Sequence, residues 1–109
     1  MKQKTIFISL VAYCDNELVP TLTDIFAKAR HPERVRVGLI NQDDDPPRLH
    51  ECPGIKPWLN QIAHKHILPS LSKGYGACRA EVNRTFYHGE DFYLQIAPHS
   101  RLAQDWDVR

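Results

Sequence analysis

The chain lacks most of the features that would assign it to a class at once. Its three cysteines, Cys14, Cys52 and Cys78, are an odd number without a C-x-x-C pair. That excludes a disulfide framework, suits a reducing compartment and makes the cytoplasm the expected location. Net charge is only +1, so no electrostatic footprint for nucleic acid or an anionic membrane is present. The local cations Lys28, Arg30, Arg34 and Arg36 alternate with apolar residues around a helix end, where positive charge suits the helix dipole. No apolar run approaches the roughly 20 residues that a membrane span needs. The apolar segment at 6–12 has no small-x-small cleavage site near Cys14, so it reads as a strand and not as a leader. Repeats, low-complexity tracts and a second hydrophobic block are also missing, which leaves one domain over 1–109.

What the sequence does contain is ordinary for a globular domain, with 42% hydrophobic and 25% charged residues. Residues 5–12, TIFISLVA, are β-branched and apolar without clean alternation, as in a strand covered on both faces. Across 17–30, Leu18, Leu22, Ile25, Phe26 and Ala29 recur at three- and four-residue spacings, one apolar helical face that His31-Pro32 ends. Residues 34–41 alternate Val35, Val37 and Leu39 with polar or small neighbours and form a second strand. Strand, helix and strand at this spacing make a βαβ unit, so the two strands are expected to be parallel. Asp43-Asp44-Asp45-Pro46-Pro47 and Pro53-Gly54 punctuate 42–54, which reads as a long loop. A short helix at 55–64, a weak strand at 66–71 and a loop at 72–75 follow. A helix over 77–87 is closed by Gly89 and leads to a buried strand at 92–96.

Several residues could carry chemistry, each with a plainer alternative. His99 lies in the polar loop after the last strand, and in open α/β sheets ligands bind beyond the carboxyl ends of strands. A solvent-exposed bystander is the alternative. Gly74, Gly76 and Arg79 open the last helix, an arrangement able to receive phosphate on backbone N–H groups with a guanidinium clamp. A lone Gly-x-Gly is also common in loops that bind nothing. Asp15 or Asn16 can be a helix N-cap and Tyr13 a packing residue. Asp43, Asp44 and Asp45 could attract a cation or contact a ribose, but they repel one another and lack the offsets of a calcium loop, so they read as solvated. His50-x-Cys52 and His64-x-His66 match no structural zinc spacing. No Ser-His-Asp or Cys-His order can be assembled.

Two long blocks, IFISLVAYCDNELVPTLTDIFAKARHPERVRVG and GEDFYLQI-AP-HSR…WD, resemble the UDP-N-acetylglucosamine-dependent polypeptide glycosyltransferases, enzymes of the GT-A fold. The resemblance implies the nucleotide-binding half of that fold: a three-layer, Rossmann-like α/β domain. It has a mostly parallel sheet of about four strands in order 3-2-1-4, with helices on both faces. It implies transfer of GlcNAc from UDP-GlcNAc to a protein hydroxyl, with Mn²⁺ or Mg²⁺ as cofactor. It also implies that Tyr13 and Asp15 meet the uracil and ribose, Gly76 and Arg79 the diphosphate, and His99 the metal. An aromatic ring can stack on the base, and a carboxylate can accept from ribose hydroxyls or the uracil N–H.

The departures from the family pattern are specific. The family's strand-end Asp-Ser-His reads Ala97, Pro98 and His99 here, and a methyl group cannot ligate a hard cation. GACRAEVNR is also shorter than the family's Trp-Ala-Arg run, which shifts Arg79. The resemblance thus implies an inherited fold with impaired, truncated catalysis. The alternatives are a non-catalytic module binding UDP or a UDP-sugar, and a ligand-free, self-associating scaffold. Trp106, flanked by Asp105 and Asp107, is expected to cover the sheet edge or to stand exposed. The last strand has no expected neighbour on one side, and open edges pair, so a homodimer through that edge is expected.

Overall fold

The computed structural model describes residues 4–71 and 74–108. Ser72 and Lys73, part of the loop expected before the last helix, lie outside the described residues. Four parallel strands form one sheet: β1 (Ile6–Tyr13), β2 (Val35–Gln42), β3 (Ile62–Ile67) and β4 (Phe92–Ile96). Their order is β3-β2-β1-β4, as the resemblance implied, and every pairing is parallel. Two helices cross over, α1 (Leu18–Lys28) between β1 and β2, and α2 (Tyr75–Thr85) between β3 and β4.

Alternation along β1 divides the core into two faces. Ile6, Ile8, Leu10 and Ala12 point to one side with Val35, Val37 and Leu39 of β2, where Leu18, Leu22, Ile25 and Phe26 of α1 cover them. Phe7 and Val11 point to the other side with Ile40 and meet Cys78 and Val82 of α2. The helix-period stripe in 17–30 thus lands on the strand-period stripe of β1. On the α2 side the sheet and its edge approach closely at Gly38, where a Cβ would come within 2.5 Å of the Phe7 ring and 3.0 Å of Phe86 Cβ. A side chain there would push the ring or the chain after α2 away from the sheet.

The helix, the third strand and the burial of the last strand expected in the second half need correction. The helix expected at 55–64 is a 3-10 stretch, Lys56–Gln61, and the third strand begins at Ile62, four residues before the expected strand at 66–71. Pro57 sits at the start of that stretch, and Trp58 stacks on Phe26 at 5.5 Å. Tertiary contact with α1, rather than the weak local pattern, sets where the chain straightens. The 42–54 loop contains a 3-10 turn at Leu49–Glu51, and Leu49 is buried in the α1 cluster with Ile55 just beyond. Finally, β4 is not a buried strand: Phe92, Tyr93 and Leu94 are 55%, 40% and 38% exposed. Its apolar side chains suggest burial, but the strand is an edge, and among the described residues β1 alone pairs with it.

Residues 97–108 run back along α1. Thr21 Oγ1, fully buried, donates to the carbonyl oxygens of Pro98 (2.7 Å) and Ser100 (3.0 Å). The Asp24 carboxylate accepts from the Leu102 N–H, and Asp105 N–H donates to the Lys28 carbonyl at 2.7 Å. Trp106 Nε1 donates to the Ile25 carbonyl at 2.9 Å. Trp106 therefore lies on α1, neither over the sheet edge nor in an exposed patch. Two of the last carbonyls of α1, those of Ile25 and Lys28, are satisfied here by this tail. Among the described residues, no helix is long and apolar enough to cross a membrane.

Candidate functional site at the ends of β1 and β4

In this strand order the chain leaves β1 towards β2 but returns from β3 to the other side of β1, so connections diverge at the β1/β4 gap. Such a point is where doubly wound sheets open a crevice for ligands. Two loops meet there. After β1, Cys14 adopts a left-handed φ of 48° and its N–H donates to the Gln42 carbonyl at 2.8 Å. That sharp turn delivers Asp15 to the crevice. After β4, the buried Pro98 is held to α1 by Thr21, and His99 follows it into solvent.

Asp15 and His99 meet across the gap, Oδ2 to Nδ1 at 3.0 Å. The other Asp15 oxygen accepts from the Glu17 N–H at 2.9 Å, ahead of α1. Asp15 thus serves the helix start and the site at once. Its surroundings oppose one another: burial pushes the carboxyl pKa up, while the Glu17 N–H and the His99 ring outweigh it and hold the pKa below the ordinary value. Arg101 and Glu17 add a second tie between the same loops, Nη2 to Oε2 at 3.3 Å. The carboxylate fixes the imidazole plane, and with Nδ1 facing Asp15, Nε2 is the nitrogen left to bond a ligand hydroxyl or carbonyl.

Tyr13 closes β1 and is 45% exposed on the sheet face of Val11, so its ring is available for stacking. Beside it, burial and the nearby carboxylates of Asp43 and Asp44 push the Cys14 thiol up. A cleft of about 230 Å³ between Asp15, Asn16, Leu18, Val19, Asp43, Asp45 and Pro47 opens there. It is smaller than the roughly 300–1,000 Å³ of a drug-sized site, and it is acidic. A base or ribose suits it, and a diphosphate does not. Composition alone did not single out this cleft, although the Asp run after β2 was its signal.

Gly76 lies in the first turn of α2, where an added Cβ would meet no heavy atom within 4 Å. Arg79 sits one turn on and reaches β4. With the Gln95 amide oxygen turned towards it, Gln95 accepts from Arg79 Nη1 at 3.0 Å and Nε at 2.6 Å. A shallow cavity of about 520 Å³ beside this contact is lined by Arg79, Asn83, Tyr87, Tyr93 and Gln95. The structure therefore joins Asp15 to His99 directly, with Tyr13 on the adjoining strand end, and sets Arg79 against the flank of β4.

The donors at this site do not fit a divalent hard cation. Both oxygens of Asp15 are engaged, Ala97 offers only a methyl group, and the Pro98 carbonyl accepts from Thr21. Mg²⁺ and Mn²⁺ bound with phosphates ordinarily take at least one free carboxylate from the protein. Among the described residues no three His, Cys, Asp or Glu side chains group as a metal site.

Comparison with curated proteins gives no match. Residues 5–57 match the family model described as Glycosyltransferase (GlcNAc). The matched segment carries β1, α1, β2 and the acidic loop, and with them Tyr13 and Asp15 but not His99. Over that segment the chain is GlcNAc-glycosyltransferase-like.

Proposed function

We propose that the crevice between the ends of β1 and β4 binds the uridine part of a UDP-sugar such as UDP-GlcNAc, and that this chain does not transfer the sugar on its own. The observation that carries the reading is the Asp15–His99 contact across the β1/β4 gap, inside a fold whose first half is GlcNAc-glycosyltransferase-like. Tyr13 stacks on the base, and the Asp15 carboxylate accepts from a ribose hydroxyl or the uracil N–H. His99 Nε2 bonds the outer sugar or a phosphate oxygen. The acidic Asp43 and Asp45 keep the diphosphate on the other side, towards the N–H groups that open α2 at Gly76 and the guanidinium of Arg79. Without a free carboxylate at position 97, the leaving diphosphate lacks the cation that would neutralise it.

The test is a titration of labelled protein with UDP and UDP-GlcNAc, with and without Mn²⁺, followed by amide shifts. Shifts at Tyr13, Asp15, Gly76 and His99 are expected, with affinity unchanged by Mn²⁺ and about tenfold weaker in His99→Ala, as for one lost hydrogen bond. Ala97→Asp combined with Pro98→Ser is expected to make the affinity Mn²⁺-dependent. Silence up to millimolar nucleotide would remove this reading and leave the fold alone.

A further inference from the structure

We propose that β4 is a self-pairing edge, and that two copies of this chain join β4 to β4 antiparallel about a two-fold axis at Leu94, making one continuous eight-stranded sheet. The inference rests on the sheet edges and is independent of the nucleotide reading.

The two edges of the sheet are built differently. The β3 edge carries His64, Lys65 and His66, all exposed, with Lys65 paired to Glu81. Charged residues of this kind keep a free edge from templating another strand. The β4 edge, FYLQI, has no charge, no proline and no bulge in its pairing with β1. The nearest charge, Asp91, is turned inward, where its Oδ2 accepts from the Thr5 N–H at 2.8 Å. Phe92, Tyr93 and Leu94 are nonetheless the exposed large side chains of the sheet's outer strand.

Backbone direction fixes the register. Phe92 N–H donates to the Thr5 carbonyl on β1 at 3.1 Å. By alternation Leu94 and Ile96 also turn their backbone groups to β1, and Tyr93 and Gln95 turn theirs outward. An antiparallel partner must therefore set outward residues opposite outward residues. With the axis at Leu94, Tyr93 faces Gln95 of the second copy in both directions, and each such pair exchanges two N–H···O bonds. Leu94 then faces its own counterpart, and Phe92 faces Ile96. On the α1 side this yields an apolar row of phenylalanine, leucine and isoleucine from both chains, with no like charges opposed. On the α2 side, Tyr93 is already fixed against Phe7 at 5.3 Å and Tyr87 at 5.0 Å, so its ring is ordered before pairing. Gln95, holding Arg79, comes to lie beside Tyr93 of the second copy. A β4-to-β3 pairing would instead be head-to-tail and would oppose β4 to the Lys65 edge.

Sedimentation equilibrium of the full chain, with circular dichroism to confirm folding, tests the proposal. A dimer is expected, and Leu94→Lys, which sets two ammonium groups across the axis, is expected to weaken it by roughly 100-fold or more. His64→Lys on the other edge is expected to leave it unchanged. A wild-type chain that stays monomeric at high concentration, or a dimer indifferent to Leu94→Lys, would overturn the proposal. Register is read by cross-linking in a Cys14→Ser, Cys52→Ser background. Leu94→Cys should form a disulfide between copies, since non-hydrogen-bonded antiparallel pairs lie about 4.5 Å apart at Cα, within disulfide reach. Cross-linking through Tyr93→Cys in place of Leu94→Cys would overturn the axis at Leu94.

Discussion

The two faces of the sheet are secured in different ways. On the α1 face, a helix with a full apolar stripe sits on alternate residues of β1 and β2, and Leu49, Ile55 and the tail extend the same cluster. On the α2 face, among the described residues, Cys78 and Val82 are the helix residues buried against Phe7, Val11 and Ile40. The chain thus concentrates its packing on one face and leaves the other thinner. Asp15 and His99 hang from the thick face, through the start of α1 and the tail bonded to Thr21. Gly76 and Arg79 hang from the thin one. A site built across both would have one fixed wall and one that can adjust.

The largest expected effect breaks the thick face. Phe26→Ala removes a ring stacked on Trp58 and buried under α1, and should reduce unfolding free energy by about 3–5 kcal/mol in a urea titration. Val82→Ala on the thin face removes two methyl groups and should reduce it by about 2 kcal/mol. Equal losses would mean that the faces are equally packed and that the contrast is wrong. Against a total stability of about 5–15 kcal/mol, the first change approaches unfolding.

The first half of the fold was legible because its signals are local and redundant. The helix-period stripe of 17–30 and the strand-period stripe of 34–41 each specify their own element, and His31-Pro32 separates them. The second half was not, because β3 is placed by contacts from afar. Gln61 Nε2 donates to the carbonyls of Pro32 and Val35, at 2.7 and 2.9 Å, just before the strand begins. At the site, His99 was marked by its position after a strand and Asp15 by the resemblance, but their contact spans 84 residues and has no local signature. The tail was the least legible part. Its ties are mostly to backbone groups, which any sequence carries, and its only sequence marks are a threonine on the buried face of α1 and the Asp105-Trp106-Asp107 triplet.

The tail sharpens the comparison, because it holds the thick face at its far end. Asp107 accepts from the N–H groups of Arg30 (2.7 Å) and His31 (2.8 Å) as the chain leaves α1. Burial raises its pKa, but these two N–H groups outweigh burial and hold the carboxyl below its usual value. A carboxyl with a lower pKa folded than unfolded binds fewer protons in the native state. Its stabilisation is therefore complete above the unfolded value of about 3.9 and is lost as pH falls through the folded value. Asp107→Asn should lower stability at pH 7 by about 1–2 kcal/mol, as for a weakened charge-assisted bond in a partly exposed setting. The gap between variant and wild type should narrow as thermal melts are repeated at pH values falling below about 4. A gap that stays constant with pH would mean that the carboxylate's charge is not what holds the tail.

The smallest expected effect concerns the thin face, where the Lys65–Glu81 pair, 2.6 Å apart, ties β3 to α2. Lys65 is about half exposed, at 51%, so solvent screens the pair and side-chain entropy offsets much of what remains. Lys65→Ala should therefore change unfolding free energy by less than about 1 kcal/mol, with or without added salt. A thin face could compensate for sparse packing with charge, and this variant separates that case from a face held by packing alone. If Lys65→Ala costs as much as Val82→Ala and the loss shrinks in salt, the α2 face is held by its ion pair. If the change is small, the buried side chains, the Phe7–Tyr87 contact and the Arg79–Gln95 bonds hold α2 in place.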